Sequence, residues 1–137
     1  MTEKELYYGD STFVYGIGCD VFDLRRLEGM SEEKLSLMGK RIFHDEEIRE
    51  FELAGDKARF LAVRFSLKES IAKSVKTGFR GFSMRDMRII KTELGAPEVL
   101  CYGRFKDIIY EKGIVKIEVS ISHDGGLVFT NAIALKK

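Results

Sequence analysis

The chain has 137 residues, 45% of them apolar and 33% charged, which suits one folded domain with a sizeable core and argues against wholesale disorder. Lys plus Arg number 23 and Asp plus Glu 22, a formal net charge of +1; that balance argues against a generic nucleic-acid binder, which carries a strong basic excess. No apolar run approaches the roughly 20 residues of a membrane helix, and the first ten residues carry Glu3, Lys4 and Glu5 where a signal peptide would have its apolar stretch.

In chain order, residues 1–11 are expected to form a loosely ordered lead, followed by a single domain over 12–137. Thr12 to Val21 reads as a strand rich in β-branched and aromatic residues, and its glycines Gly16 and Gly18 imply close backbone approach by another element. Asp23 is placed to cap a short helix with Leu24 and Leu27 inward and Arg25, Arg26 and Glu28 outward. Ser31-Glu32-Glu33 opens a further helical segment. Asp45-Glu46-Glu47 opens another, with acids where the helix dipole favours them.

The longest helix is expected from about Asp56 to Lys76, with Gly78 as its stop signal. Phe60, Val63, Leu67, Ile71 and Val75 fall on one face, while Ala58, Ala62, Phe65 and Ala72 fall on the other, so the helix is central and buried. Glu69 lies on the small face, where a carboxylate is costly without a partner, a network or a metal. Beyond it, Met87 to Lys91 and Glu98 to Tyr102 read as a hairpin around Leu94-Gly95-Ala96-Pro97. Arg104 to Lys112 has helical spacing and stops at Gly113. Val115 to Ile121 alternates with period two, His123-Asp124-Gly125-Gly126 turns, and Val128 to Leu135 is the last strand. This order describes an α+β domain with a mostly antiparallel sheet packed on a long central helix. Cys19 and Cys101 stand apart with no CxxC pair, so there is no zinc or thioredoxin signal, and a reducing, cytoplasmic compartment is expected.

Three features carry chemistry: Asp20 at the end of the glycine-flanked strand, Lys68-Glu69-Ser70-Ile71-Ala72-Lys73 on the long helix, and Ser120-Ile121-Ser122-His123 at a strand end. Each has an ordinary reading: a turn or cap residue, an i,i+4 surface ion pair worth a few tenths of a kcal/mol, and a structural hydrogen-bonding histidine. Together they favour an anionic, phosphorylated ligand. Two carboxylates from separate elements suit Mg²⁺, and Lys68, Lys73 and Arg64 suit phosphate oxygens. Thr77, Gly78 and Gly81 suit backbone approach to a nucleotide. The sequence has no GxxxxGK[ST] run and no GxGxxG between a strand and a helix, which excludes the P-loop and dinucleotide-binding readings.

Gly16-Ile17-Gly18-Cys19-Asp20 with Leu24-Arg25-Arg26, Arg41-Ile42-Phe43-His44-Asp45-Glu46-Glu47, Phe60 through Lys73, Gly95-Ala96-Pro97 and Ser120-Ile121-Ser122-His123 follow one another in the order and spacing of a known family. Over about Val14 to Leu135 the chain resembles the holo-[acyl-carrier-protein] synthase family, the short bacterial type of the 4′-phosphopantetheinyl transferase superfamily. The resemblance implies that fold and a Mg-dependent transfer. The phosphopantetheine arm of coenzyme A passes to a serine of apo-acyl carrier protein in fatty acid biosynthesis, with release of adenosine 3′,5′-bisphosphate. It implies Mg²⁺ on Asp20 and Glu69, Lys73 facing the pyrophosphate, and a homotrimer with coenzyme A between neighbouring subunits. Arg64, Ser122 and His123 are then expected to serve that shared site, with Lys68 and Gly78 as further coenzyme A contacts. Arg25 and Arg26 would dock the acidic carrier.

Ser70 and Ser74 stand where the family pattern has alanine, and the lead is longer than the family carries. The base for the serine proton is left between Glu69 and a metal-bound water, and His44 and His123 are assigned to binding. Two other readings stay open. One is a non-catalytic module that binds coenzyme A or a nucleotide. The other is a structural oligomer subunit in which Glu69 pairs with Lys73 or Arg64.

Overall fold

A computed structural model of the chain describes residues 13–137, so the expected lead, 1–11, lies outside the described residues. The first strand, β1, runs Val14–Asp23. A 3-10 turn over Leu24–Leu27 follows, capped by the Asp23 carboxylate, which accepts from the backbone N–H of Arg25. Helix α1 (Glu32–Ile42) is capped by Ser31, and α2 is Asp45–Leu53. The long helix, α3, is Lys57–Ser74, with Asp56 accepting from the N–H of Arg59. Strands β2 (Met87–Lys91) and β3 (Pro97–Cys101), helix α4 (Gly103–Glu111), and strands β4 (Ile114–Asp124) and β5 (Leu127–Lys136) complete the described chain.

All pairings are antiparallel: β1-β5-β4 form one sheet and β2-β3 a separate hairpin. The α+β expectation therefore holds, with β4 longer than its alternation suggested. His123 and Asp124 belong to β4, and the turn is Gly125-Gly126 alone.

Helix α3 lies across the three-stranded sheet and is buried on nearly every side, through Leu61, Leu67 and Ile71 on one flank and Ala62, Ser66, Ser70 and Ser74 on another. That small-residue flank receives β1. A Cβ on Gly18 would stand 1.9 Å from the carbonyl oxygen of Ser70, and one on Gly16 would stand 2.3 Å from that of Ser74, so only glycine admits this approach. Two strand residues advance about 6.7 Å and four helix residues about 6 Å. Gly16, Gly18 and Asp20 consequently fall opposite Ser74, Ser70 and Ser66. Asp20 is the next residue on that face of β1 after the two glycines, and its carboxylate meets Ser66.

The helix ends earlier than expected. Ser74 is its last residue, Val75 the cap, and the left-handed position is taken by Lys76 (φ 67°) rather than Gly78, whose positive φ of 59° lies two residues further on. The Lys76 ammonium lies 5.2 Å from the centre of the Tyr15 ring, a contact that offsets part of the cost of a non-glycine residue there.

Candidate active site

The stripe Ser66, Glu69, Ser70, Lys73 runs along one side of α3 at i, i+3, i+4, i+7, and Asp20 of β1 is laid against it. Ser66 Oγ donates to Asp20 Oδ2 at 2.8 Å. Lys73 Nζ lies 3.6 Å from Asp20 Oδ1 and donates to the Cys19 carbonyl at 2.8 Å. Glu69 sits between those two contacts. Its carboxyl is held above the ordinary glutamate range, first by burial and then by the neighbouring Asp20, with Lys73 opposing both. Among the described residues Glu69 makes no ion pair: Lys73 turns to Asp20, and Arg64 turns to Glu47. The structure thus brings the predicted Asp20, Glu69 and Lys73 together, and it removes the reading in which Glu69 pairs with Lys73 or Arg64.

Two carboxylates on facing elements, crowded enough to disfavour their joint ionisation and served by one half-exposed lysine, have the hard-oxygen chemistry of a divalent cation site completed by water and a phosphate ligand. Among the described residues no group of three or more His, Cys, Asp or Glu side chains converges. That excludes a closed all-protein cage there, not a two-carboxylate site.

Lys68 is a correction. The sequence places it at phosphate oxygens and coenzyme A, yet its side chain is 0% exposed and points into the core, where Nζ donates to the Ile42 carbonyl at 2.7 Å and to the Glu47 carboxylate. Residues 68 and 69 are 100° apart on the helix, so the neighbour of a cleft residue faces inward. Glu47 also accepts from the backbone N–H of His44 at 2.9 Å and of Ile89 at 3.0 Å, tying α2, α3 and β2 together. His44 is likewise engaged: it caps α2, accepting from the N–H of Glu46 at 3.2 Å, and stacks on Tyr102. Sequence reasoning missed this hub. The signal was Glu47 in the N3 position of a capping box, obscured because a histidine, not Ser, Thr, Asp or Asn, precedes it.

Arg64 and His123 do share a cleft, about 460 Å³ and lined also by Arg59, Phe60, Ile90 and Lys91. The Arg64 guanidinium lies 3.5 Å from the Phe60 ring centre. Among the described residues its buried Nε has no hydrogen-bond partner, and burial lowers its pKa. Arg59 Nη1 lies 2.9 Å from His123 Nδ1; a guanidinium only donates, so that nitrogen accepts and the imidazole proton sits on Nε2. Arg59 was not foreseen. Asp20, Glu69 and Lys73 are not among the residues that line this cleft. Ser122 is exposed on the outer sheet face, opposite Phe129 in register. Gly78 is exposed, and the Thr77 hydroxyl is used locally, donating to the Gly78 carbonyl.

The two arginines of the 3-10 turn differ. Arg25 is held by a fork to Asp23, with Nη2–Oδ2 at 2.6 Å, whereas the Arg26 guanidinium lies 4.4 Å from the centre of the Phe22 ring. Phe22 meets Phe65 edge to face at 5.6 Å. Phe65 in turn lines an apolar depression of about 700 Å³ with Leu37, Met38, Ile42 and Met84, flanked by Lys40 and Arg41.

A sequence model of the 4′-phosphopantetheinyl transferase superfamily matches residues 16–129. The chain is 38% identical over 119 residues to the holo-[acyl-carrier-protein] synthase of Caldanaerobacter subterraneus, covering 87% of this chain and 93% of that protein. The crystal structure of the holo-[acyl-carrier-protein] synthase from Neisseria meningitidis superposes with a TM-score of 0.83 at 35% identity, over 90% of this chain and 99% of that one. The Helicobacter pylori enzyme in complex with coenzyme A superposes with a TM-score of 0.71 at 26% identity, over 86% and 98%. With Asp20 and Glu69 brought together where β1 crosses α3, the chain belongs to the 4′-phosphopantetheinyl transferase superfamily, in its holo-[acyl-carrier-protein] synthase family.

Proposed function

We infer that this protein transfers the 4′-phosphopantetheine arm of coenzyme A to a serine hydroxyl of an apo-acyl carrier protein, with Mg²⁺ on Asp20 and Glu69, in fatty acid biosynthesis in the cytoplasm. The observation that carries this reading is the carboxylate pair itself: two partly exposed acids from β1 and α3, with Asp20 close enough to help hold the Glu69 carboxyl above its ordinary range. The coenzyme A bound by the Helicobacter pylori relative supports the choice of donor.

In the reaction the carrier's serine oxygen bonds to the β-phosphorus of coenzyme A as its proton passes to Glu69 or to water, the two candidate bases. The bond from that phosphorus to the bridging oxygen breaks, and adenosine 3′,5′-bisphosphate leaves with the electron pair. Bound there, the divalent ion would supply positive charge to the pyrophosphate oxygens. The residues do the rest. Asp20 and Glu69 would fix the cation site on two rigid elements, and Lys73, held by the Cys19 carbonyl, keeps a half-exposed ammonium beside them for the charge that grows on the leaving group.

The cleft of Arg59, Arg64 and His123 lies apart from the carboxylates on one chain, and the outer sheet face carries exposed Ile17 (72%), Val21, Phe129 and Ile133. A large apolar surface of this kind marks an interface. Both features support an assembly in which one subunit's basic cleft completes its neighbour's carboxylate centre, and the family resemblance makes that assembly a homotrimer. Arg26, Phe65 and the basic-rimmed depression beside them support docking of an acidic carrier with an apolar contact at its centre.

The test is to mix the protein with apo-carrier, coenzyme A and Mg²⁺ and weigh the carrier by mass spectrometry. The expected result is a carrier heavier by one phosphopantetheine, equimolar adenosine 3′,5′-bisphosphate, and loss of both on chelation. Coenzyme A binding without release of the bisphosphate would instead identify a non-catalytic binder.

A further inference from the structure

Behind Asp20 lies a cluster of three buried hydroxyls. Ser66, Ser70 and Thr130 are each at most 1% exposed, and they are linked to one another and to the carboxylate. Ser66 Oγ lies 2.8 Å from Asp20 Oδ2 and 2.9 Å from Thr130 Oγ1. Ser70 Oγ lies 2.7 Å from Thr130 Oγ1 and 3.2 Å from the Thr130 carbonyl. Thr130 Oγ1 also lies 2.9 Å from the Ser66 carbonyl.

Each hydroxyl has one proton, and the ionised carboxylate only accepts, so Ser66 must donate to Asp20. The Thr130 proton then goes to Ser66, to its Oγ or its carbonyl oxygen, since both lie at 2.9 Å. Ser70 is left to donate to Thr130. When Thr130 donates to Ser66 Oγ the three protons run toward Asp20, and a chain of that polarity strengthens its terminal bond; when it donates to the Ser66 carbonyl it anchors the same helical turn beneath the carboxylate. It arises because three elements converge: Thr130 is the register partner of Asp20 across β1-β5, and Ser66 and Ser70 are one turn apart on α3 beneath it.

We propose that Ser66, with Thr130 and Ser70 behind it, is a positioning residue for Asp20: the hydroxyl chain holds Oδ2 against α3 and leaves Oδ1 directed to the cation and Lys73. This deepens the functional reading above and rests on its assignment of a divalent ion to Asp20 and Glu69. Outer-shell hydrogen bonds to a metal-ligating group characteristically change metal affinity by 10–100-fold on removal.

The experiment is Mn²⁺ binding followed by electron paramagnetic resonance of the free ion, with coenzyme A present, for the wild type, Ser66→Ala, Thr130→Val, Thr130→Ser and Asp20→Asn, alongside thermal unfolding of each. Ser66→Ala should weaken Mn²⁺ by on the order of 10-fold, Thr130→Val by less, and Thr130→Ser should retain the wild-type affinity. The triple variant Ser66→Ala/Ser70→Ala/Thr130→Val removes all three hydroxyls, leaving no buried hydroxyl without its partner and only the partly exposed Asp20 carboxylate short of a donor, so it should unfold near the wild-type temperature while binding Mn²⁺ as weakly as Ser66→Ala. If Asp20→Asn loses Mn²⁺ while Ser66→Ala and Thr130→Val bind it like the wild type, the positioning role is wrong and the cation assignment stands. If Asp20→Asn keeps wild-type affinity, the cation assignment fails and takes this proposal with it.

Discussion

Lys68 and Glu69 are neighbours in sequence and opposites in environment. Lys68 is sealed in the core with the Glu47 carboxylate and the Ile42 carbonyl as fixed partners, and its charge joins α1 and α2 to α3. Glu69, one residue on, is partly exposed, has no ion pair among the described residues, and is crowded by Asp20. The pair shows how a fold divides polar groups into two kinds of work. Where partners are complete, the charge is structural; where like charges meet beside solvent, the deficit is what a ligand can fill.

The largest expected effect comes from breaking the sealed side. Lys68→Met leaves the buried Glu47 carboxylate with Arg64, 3.8 Å away, in place of its hydrogen-bonded ammonium and should cost up to about 3–5 kcal/mol of stability by urea denaturation. Lys68→Met/Glu47→Gln should regain a large part of it. Transfer by whatever fraction remains folded should be near the wild-type rate, since Lys68 does not reach the cleft.

Gly18→Ala tests the junction between the two sides. Its methyl would meet the Ser70 carbonyl oxygen at 1.9 Å, so β1 must lift off α3, at a cost of about 1–3 kcal/mol. Because Asp20 rides on the same strand, a displacement near 1 Å should lower the transfer rate by roughly 100-fold, more than the stability loss alone explains. A variant with unchanged kcat would show that Asp20 does not depend on this contact.

A pH series sharpens the contrast. Burial pushes the Lys68 ammonium down from the usual 10.5 to about 8, against the pull of Glu47. Its folded pKa is below the unfolded one, so the unfolded chain binds more protons between those values. The stability gained is complete above the unfolded value and is lost as pH falls through about 8. Urea midpoints of the wild type should therefore rise across this window relative to Lys68→Met/Glu47→Gln; parallel curves would contradict the assignment.

The smallest effect lies at the docking turn. Arg25 is already tied to Asp23, whereas Arg26 offers its charge over Phe22. Arg26→Glu should raise the KM for the carrier by roughly 5-fold at low salt, Arg25→Glu by less, and neither should change the KM for coenzyme A. Equal effects of the two would remove the distinction.

Most elements were legible in the sequence because period-two and 3.6-residue patterns survive burial: β1, the β2-β3 hairpin, α4 with its Gly113 stop, and the closing hairpin all exist in the expected order, with β1 ending two residues later, at Asp23, and β4 running on through Asp124. The glycines of β1 announced a close approach without naming its partner. What could not be read was direction and distance. The adjacency of Lys68 and Glu69 suggested a shared site, but the partner that claims Lys68 is 21 residues away on another helix. Ser66, Ser70 and Thr130 look like small conservative choices until α3, β1 and β5 stack them. Gly78 seemed the natural helix stop, yet the chain turns at Lys76, where Tyr15 supports the turn.

The most direct test of the account is the rate of carrier modification against Mg²⁺ concentration for the wild type, Asp20→Asn and Glu69→Gln, with folding checked by circular dichroism. The account predicts folded variants that each lose at least about 100-fold in rate even at saturating Mg²⁺. Either variant modifying the carrier at a near wild-type rate would contradict it.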